Sequence, residues 1–306
     1  MVTLHEASTY PRHRVCGEFI SGVSQKTLET LGIGNCLDEA TQLHRASWND
    51  RNGRLAEMQV PGRGISRWKL DAHLQQQFLS LGGTLVTNSR VASAPGVIWA
   101  AGRPSQPSPW LGLKCHARNL PLTHDLEMFT SPDGYLGLAK IEDAKVNICG
   151  LFKKRPPSGV KGSALLVSIL RVSSLNALAD RLEAAEIDES SFCGVAAFRT
   201  GRQEGPEFCI GDAASMIPPF TGNGMSMAFE SAECALNPAM DYATGKKSWL
   251  EAASASTASQ ASRFNRRLAM AGALHCVLLH PLGLRLTTAL ARRKCVPFET
   301  LLHLVR

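Results

Sequence analysis

Aromatic residues are few in this 306-residue chain: 6% in all, with 3 Tyr and 5 Trp. No long Lys/Arg block with interleaved aromatics occurs, which argues against nucleic-acid binding although the net charge is +7. A basic balance of that kind leaves an anionic cofactor or an acidic membrane surface as the partner. No two of the nine cysteines have CxxC spacing, which removes a zinc ribbon and a thioredoxin-like motif. Their scatter fits a reducing cytoplasm. The nine histidines form no HExxH or other close metal pair, so no metal is expected. The N-terminus MVTLHEAS has no charged segment followed by an apolar core, so no signal peptide is expected. The most apolar late run, 269–284, is broken by His275, His280 and Pro281 and is too short and polar for a membrane span. No GxGxxG occurs, and no internal repeat. Hydrophobic residues at 44% and charged ones at 19% suit a globular protein of one large or two ordinary domains.

What is present gathers late in the chain, in FCIGDAASMIPPFTGNGMSMAFESAECA at 208–235. Phe208, Cys209 and Ile210 read as a short strand that ends at Gly211, with Asp212 at its exit. Pro218 and Pro219 rule out regular helix just beyond. Gly222, Asn223 and Gly224 let the backbone turn and approach a ligand closely. From Met225 onward the residues favour helix. A carboxylate at a strand exit can bind sugar hydroxyls, and a helix N-terminus offers free N–H groups to an electron-rich edge. An ordinary strand-to-helix connection remains the plain alternative.

The whole string resembles the second FAD-contacting motif of the FAD-dependent monooxygenase and geranylgeranyl-reductase-like flavoprotein superfamily. Gly211, Asp212, Ala213, Ala214, Pro218, Pro219, Gly222, Gly224 and Met225 carry the match. The resemblance implies that Asp212 binds the ribityl chain and that the backbone from Gly222 to Met225 faces the isoalloxazine ring. YPRHRVCGEF at 10–19 resembles the superfamily's Pro-Arg-x-(Lys/Arg)-x-Cys-Gly-Glu segment. That places Arg14 near the FAD phosphates and brings Cys16 and Gly17 to the flavin. The Cys16 thiol is either redox-active or a buried inert one. Glu6, at the end of a short alternating run, fits the acid that binds ribose hydroxyls. The glycine-rich fingerprint belongs about 20 residues upstream of such an acid, and it has no counterpart here.

At 62–80 apolar residues recur at helical spacing, at Leu70, Leu74 and Phe78, with Ser66 as a candidate cap. Arg67 and Asp71 stand at i, i+4, where a surface pair is the plain reading. The superfamily has an Arg before Leu-Asp here that borders the cofactor, which makes Arg67 a candidate. Residues 84–91 and 97–101 read as strands, the latter followed by Gly102, Arg103 and Ser105. Short strand-like segments at 110–117, 125–129, 135–141 and 146–152 follow, separated by turn residues. A loop at 153–162, an amphipathic helix at 175–185 and a last strand at 192–199 complete that region. The stretch 249–306 is mostly helical and rich in arginine. Its basic face is either solvated or attached to an anionic lipid surface.

The expected fold is α/β: an FAD-binding Rossmann-like domain at 1–107 and 200–245 with its first βα unit missing, a β-rich substrate domain at 108–199, and C-terminal helices at 246–306. The expected function is FAD-dependent oxidoreduction of an apolar or lipid-like substrate, by oxygen transfer or alkene reduction, with NAD(P)H or a protein partner as donor. The expected place is the cytoplasm, with peripheral contact at the inner face of the membrane through the basic helices. The missing glycine-rich loop leaves a non-catalytic remnant or fragment as the competing class. Gly224-Met225-Ser226-Met227-Ala228 is nearly a hydrolase nucleophile elbow, but its Ser does not directly follow a strand.

Overall fold

The computed structural model describes residues 1–103, 108–153, 159–196 and 200–305. The chain starts with β1 (Thr3–His5), β2 (Phe19–Ile20) and α1 (Gln25–Thr30), then the long hairpin β3 (Thr41–Asp50) and β4 (Gly53–Gly64). Next come α2 (Arg67–Ser80) and β5 (Thr84–Val86). β1 and β5 pair in parallel, Thr3 with Thr84 through His5 with Val86. A parallel bridge between Trp99 and Cys209 is, among the described residues, what forms of the strands expected at 97–101 and 208–210.

The middle of the chain supplies β6 (Leu111–Arg118), β7 (Leu126–Ser131), β8 (Gly134–Lys140) and β9 (Val146–Phe152). Helices α3 (Ala164–Val172) and α4 (Asn176–Glu183) and strand β10 (Glu186–Val195) follow. The expected strand at 192–199 thus begins earlier, and 197–199 lie outside the described residues, as do Ser105 and residues 154–158 of the expected loop at 153–162. One eight-stranded sheet runs β10-β6-β9-β8-β7-β3-β4-β2. It is antiparallel except where β3 meets β7. Its strands come from both sides of residue 107, because the 41–64 hairpin joins it.

Side chains alternate across this sheet, as the pleat requires. Leu113, Cys115, Leu136, Leu138, Ile148 and Phe152 face α3 and α4 and form the largest core with Leu166, Ile169, Leu170 and Leu178. Tyr135, Gly137, Ala139, Cys149 and Leu151 lie on the other face, which walls a cavity. The sheet is therefore covered on both sides, by helices on one and by the rest of the molecule on the other.

After β11 (Gly201–Arg202) and β12 (Ser215–Met216), which pair antiparallel, the chain is helical. α5 (Gly224–Ala243), α6 (Trp249–Leu279), α7 (Pro281–Arg292) and α8 (Phe298–Leu304) follow in turn. α6 opens on a capping box: Ser248 accepts from the Glu251 N–H while Glu251 accepts from the Ser248 N–H. Phe208, Ala235, Trp249, Ala252 and Ala253 join α5 to α6. No single helix among the described residues is long and apolar enough to cross a membrane. α6 and α7 pass that test only as a pair, and they bend by 96° at the break between them.

Candidate active site

A cavity of about 1820 Å³ lies between the sheet, the β1–β5 pair, α2, the start of α5 and the C-terminal helices. Pockets for single small ligands usually hold about 300–1,000 Å³, so this one has room for a dinucleotide and a substrate together. Glu6, Arg14, Cys16, Gly17, Arg67, Gly211, Asp212, Gly222, Gly224 and Met225 all line it. Pro218 and Asn223 do not. Asn223 is buried, accepts from the Ser21 hydroxyl at 3.1 Å, and donates to the Val305 carbonyl. It ties the loop to β2 and to the C-terminus rather than facing a ligand.

The glycines divide by what surrounds them. Gly222 has φ +69°, and a Cβ there would meet the Phe19 ring at 2.5 Å. Its conformation and its neighbour both demand glycine. Gly224 and Gly17 have normal φ and nothing within 4 Å of a Cβ, so their backbones lie bare to the cavity. Gly224 starts α5, where the first N–H groups lack intrahelical partners.

Asp212 follows Gly211, which turns at φ +61°. No described residue donates a hydrogen bond to its carboxylate. Burial pushes its pKa up, opposed by the fields of Arg103 and Arg67. Glu6, by contrast, is well held at the end of β1. It accepts from the Ser8 N–H at 3.1 Å, the Tyr10 hydroxyl at 3.1 Å, Arg12 at 2.8 Å and Arg14 at 3.5 Å. The Tyr10 phenol is raised to about 12 by burial and by Glu6.

Arg67 is half-buried, with 26% of its side chain exposed, and it lines the cavity. Ser66 caps α2 by accepting from the Lys69 N–H at 3.1 Å, and its own N–H and hydroxyl donate to the buried Glu142. That anchors the helix start against the sheet. Arg67 then reaches Asp71 with two hydrogen bonds at 2.8 and 2.9 Å, and Arg14 stands 3.7 Å from the same carboxylate. Burial disfavours the Arg67 charge, but Asp71 outweighs it and raises the pKa further.

The Cys-Gly-Glu segment is fixed from beneath. Glu18, fully buried at φ +52°, bonds His116 Nε2 at 2.5 Å, lies 3.3 Å from the Lys114 ammonium, and accepts from the Arg67 N–H at 2.9 Å. Asn147 donates to the Cys16 carbonyl at 3.0 Å. Burial pushes Glu18 up, but His116 and Lys114 outweigh it and hold the carboxyl below its usual range. Burial also pushes the Cys16 thiol up, and Cys149 well up. Both are protonated at neutral pH, which favours the inert reading of Cys16.

His13, His116 and Asp188 bring three ligand atoms within 4.8 Å of one another, a cluster the sequence does not reveal. The Lys114 ammonium stands 3.2 Å from His13 Nδ1 and works against a cation there. Burial and Lys114 lower His13 to about 4. Ser226 is buried and its hydroxyl donates to the Ser21 carbonyl, so it is no nucleophile. Sequence reasoning did not single out the apolar wall of Trp48, Met58, Val60, Leu126 and Met128, nor Phe220, which all line the cavity. The Asn52-Gly53 turn was the available signal for the hairpin that carries the first three.

No protein-family model matches the chain, and no curated protein matches it in sequence. Solved structures do match in fold. PqsL of P. aeruginosa, crystallised with 2-aminobenzoylacetate, superposes with a TM-score of 0.68 at 13% identity, over 92% of this chain and 91% of that one. HpxO of Klebsiella pneumoniae, crystallised with FAD and uric acid, gives 0.71 at 15% identity, over 98% of this chain and 88% of that one. The p-nitrophenol 4-monooxygenase PnpA of Pseudomonas putida gives 0.72 at 11% identity, over 99% and 90%. The chain thus has the α/β fold, with its large mostly antiparallel sheet and C-terminal helices, of the FAD-dependent monooxygenases.

Proposed function

We propose that this chain is an FAD-dependent oxidoreductase that acts on an apolar, lipid-like small molecule. One observation carries the reading. The Asp212 carboxylate, which accepts no hydrogen bond from a described residue, the bare backbones of Gly17 and Gly224, and the cations Arg14 and Arg67 meet in a single cavity. These residues fit a flavin. Asp212 would accept hydrogen bonds from ribityl hydroxyls, and the first turn of α5 would offer its N–H groups to the electron-rich edge of the ring. Arg14 would neutralise phosphate, and Glu6 would take the ribose hydroxyls. Both roles require the Glu6–Arg12–Arg14 cluster to open toward the ligand.

When bound, FAD supplies the redox chemistry, taking two electrons from a donor and passing them on. The protein's part is orientation and exclusion of water. The wall of Trp48, Met58, Val60, Leu126 and Met128 offers the substrate no hydrogen bonds and selects for carbon-rich groups. The raised pKa of Tyr135, pushed well up by burial, keeps that phenol protonated beside the cavity. No side chain is assigned as general acid or base. The similarity to PnpA favours oxygen transfer over alkene reduction. NAD(P)H as electron donor belongs to this proposal. So do a cofactor part drawn from the first hundred residues and 200–245, with the 41–64 hairpin counted to the substrate sheet, and a cytoplasmic place with peripheral membrane contact.

The test is direct. The purified chain is titrated with FAD, and NADH or NADPH is then added without oxygen. Saturable uptake followed by bleaching of the flavin's visible absorbance supports the proposal. Failure to take up FAD removes it.

A further inference from the structure

The outward face of α7 has no partner among the described residues. Leu282, Leu286 and Leu290 follow at i, i+4 and i+8, one stripe of a helix, and are 67%, 63% and 38% exposed. Val277, near the end of α6, is 45% exposed. The inward face is ordinary core: Leu284 and Ala291 pack with Trp48 and Leu55. Single exposed leucines need no explanation, but three in register do.

The charge around the stripe has one sign. From Ala252 to Phe298 the chain has no Asp or Glu, yet it carries Arg263, Arg266, Arg267, Arg285, Arg292, Arg293 and Lys294. Some of these serve the fold: Arg263 and Arg267 pair with Glu233 and Glu230, and Arg292 with Asp50. Arg285, Arg293 and Lys294 are exposed and make no ion pair among the described residues. A second copy of this chain would meet the same cations and be repelled. An anionic lipid surface satisfies the leucines and the cations together.

We infer that α7 docks the protein on an anionic bilayer, lying in the plane of the interface. Leu282, Leu286 and Leu290 enter the acyl boundary, and Arg285, Arg293 and Lys294 meet the headgroups. With 12 residues the helix is too short to span. The docking also places the cavity. Val277 is at once exposed and cavity-lining, and Thr287 on α7 lines the cavity too. The cavity therefore reaches the surface beside the stripe, and an apolar substrate passes into it from the lipid without crossing water. This route rests on the proposed apolar substrate; the docking itself does not.

The full chain is sedimented with vesicles of phosphatidylglycerol and phosphatidylcholine, and with phosphatidylcholine alone, at about 0.1 M salt, where the screening length is about 10 Å. Retention is expected on the anionic vesicles. It should weaken at least tenfold on neutral vesicles, in Leu282→Asp/Leu286→Asp, and in Arg293→Glu/Lys294→Glu. Flavin absorbance is read on the same samples. Variants that keep FAD but lose the vesicles support the inference. Vesicle binding without FAD uptake leaves the docking standing and removes the cofactor reading. No retention of the wild type, or retention that the leucine variant does not change, overturns the inference. So does a dimer in analytical ultracentrifugation that the leucine variant dissociates and that ignores vesicles.

Discussion

Arg67 grips Asp71 with two hydrogen bonds, at 2.8 and 2.9 Å, while its own backbone N–H is held by the buried Glu18. A pair at i, i+4 on a helix is ordinarily a surface ornament worth a few tenths of a kcal/mol. Here Asp71 is buried, and Arg14 leans on it as well. The pair links the Cys-Gly-Glu segment, α2 and the cavity.

Arg67→Leu should therefore cost about 2 kcal/mol of stability, because it leaves a buried carboxylate with one distant partner. Arg67→Lys should recover part of this, since it restores charge but not the two-pronged geometry. Urea denaturation of both variants checks the order.

The two loop glycines should behave in opposite ways. Gly222→Ala forces a side chain into φ +69° and against the Phe19 ring. It should destabilise by about 2 kcal/mol or more. Gly224→Ala meets nothing within 4 Å and sits at the start of a helix. Its unliganded form should be as stable as the wild type or more so, by up to about 1 kcal/mol. Its FAD affinity should still fall at least tenfold, since the methyl group enters the cavity.

Asp212 predicts a pH dependence. Burial holds its folded pKa above the unfolded value of 3.8. The folded state therefore binds that proton more tightly, and stability falls as the pH rises from about 3.8 through the raised folded pKa. Asp212→Asn removes this loss. Without FAD, the variant should gain on the wild type between pH 4 and pH 7. A stability difference that does not change with pH would contradict the assignment.

Asp125 works with the opposite sign. Burial pushes it up, but the His44 N–H at 2.9 Å, the Lys140 ammonium at 2.9 Å and the Arg45 N–H at 3.1 Å outweigh it, and the pKa lies at about 2. It joins β3 to the β7–β8 hairpin. Its contribution, about 2 kcal/mol, is complete above pH 3.8 and lost as the pH falls toward 2. Asp125→Asn should flatten acid denaturation over that window.

The loop that lines the cavity at 211–225 was legible because its requirements are local. Gly211, Gly222 and Gly224 and the two prolines constrain the backbone where they stand, and the Ser66 cap follows from its neighbours. The strands at 146–152 and the helix at α4 were readable for the same reason. The 41–64 hairpin was not, because TQLHRASWND carries polar residues on both faces and lacks a clean alternation. One bridge, Trp99 to Cys209, stands where two strands were expected at 97–101 and 208–210, and each run is closed by a glycine, Gly102 and Gly211. The Glu18–His116–Lys114 cluster lies wholly beyond sequence reasoning. Its members are nearly a hundred positions apart, and only the folded sheet makes Lys114 a buried cation.

FAD is the proposed occupant of this cavity. Equilibrium titration of the purified 306-residue chain with FAD, followed by flavin fluorescence, tests it most directly. Saturable binding of one FAD per chain is expected, weakened at least tenfold by Asp212→Ala and by Gly224→Ala while both variants stay folded. No binding, or binding that neither substitution changes, would contradict it.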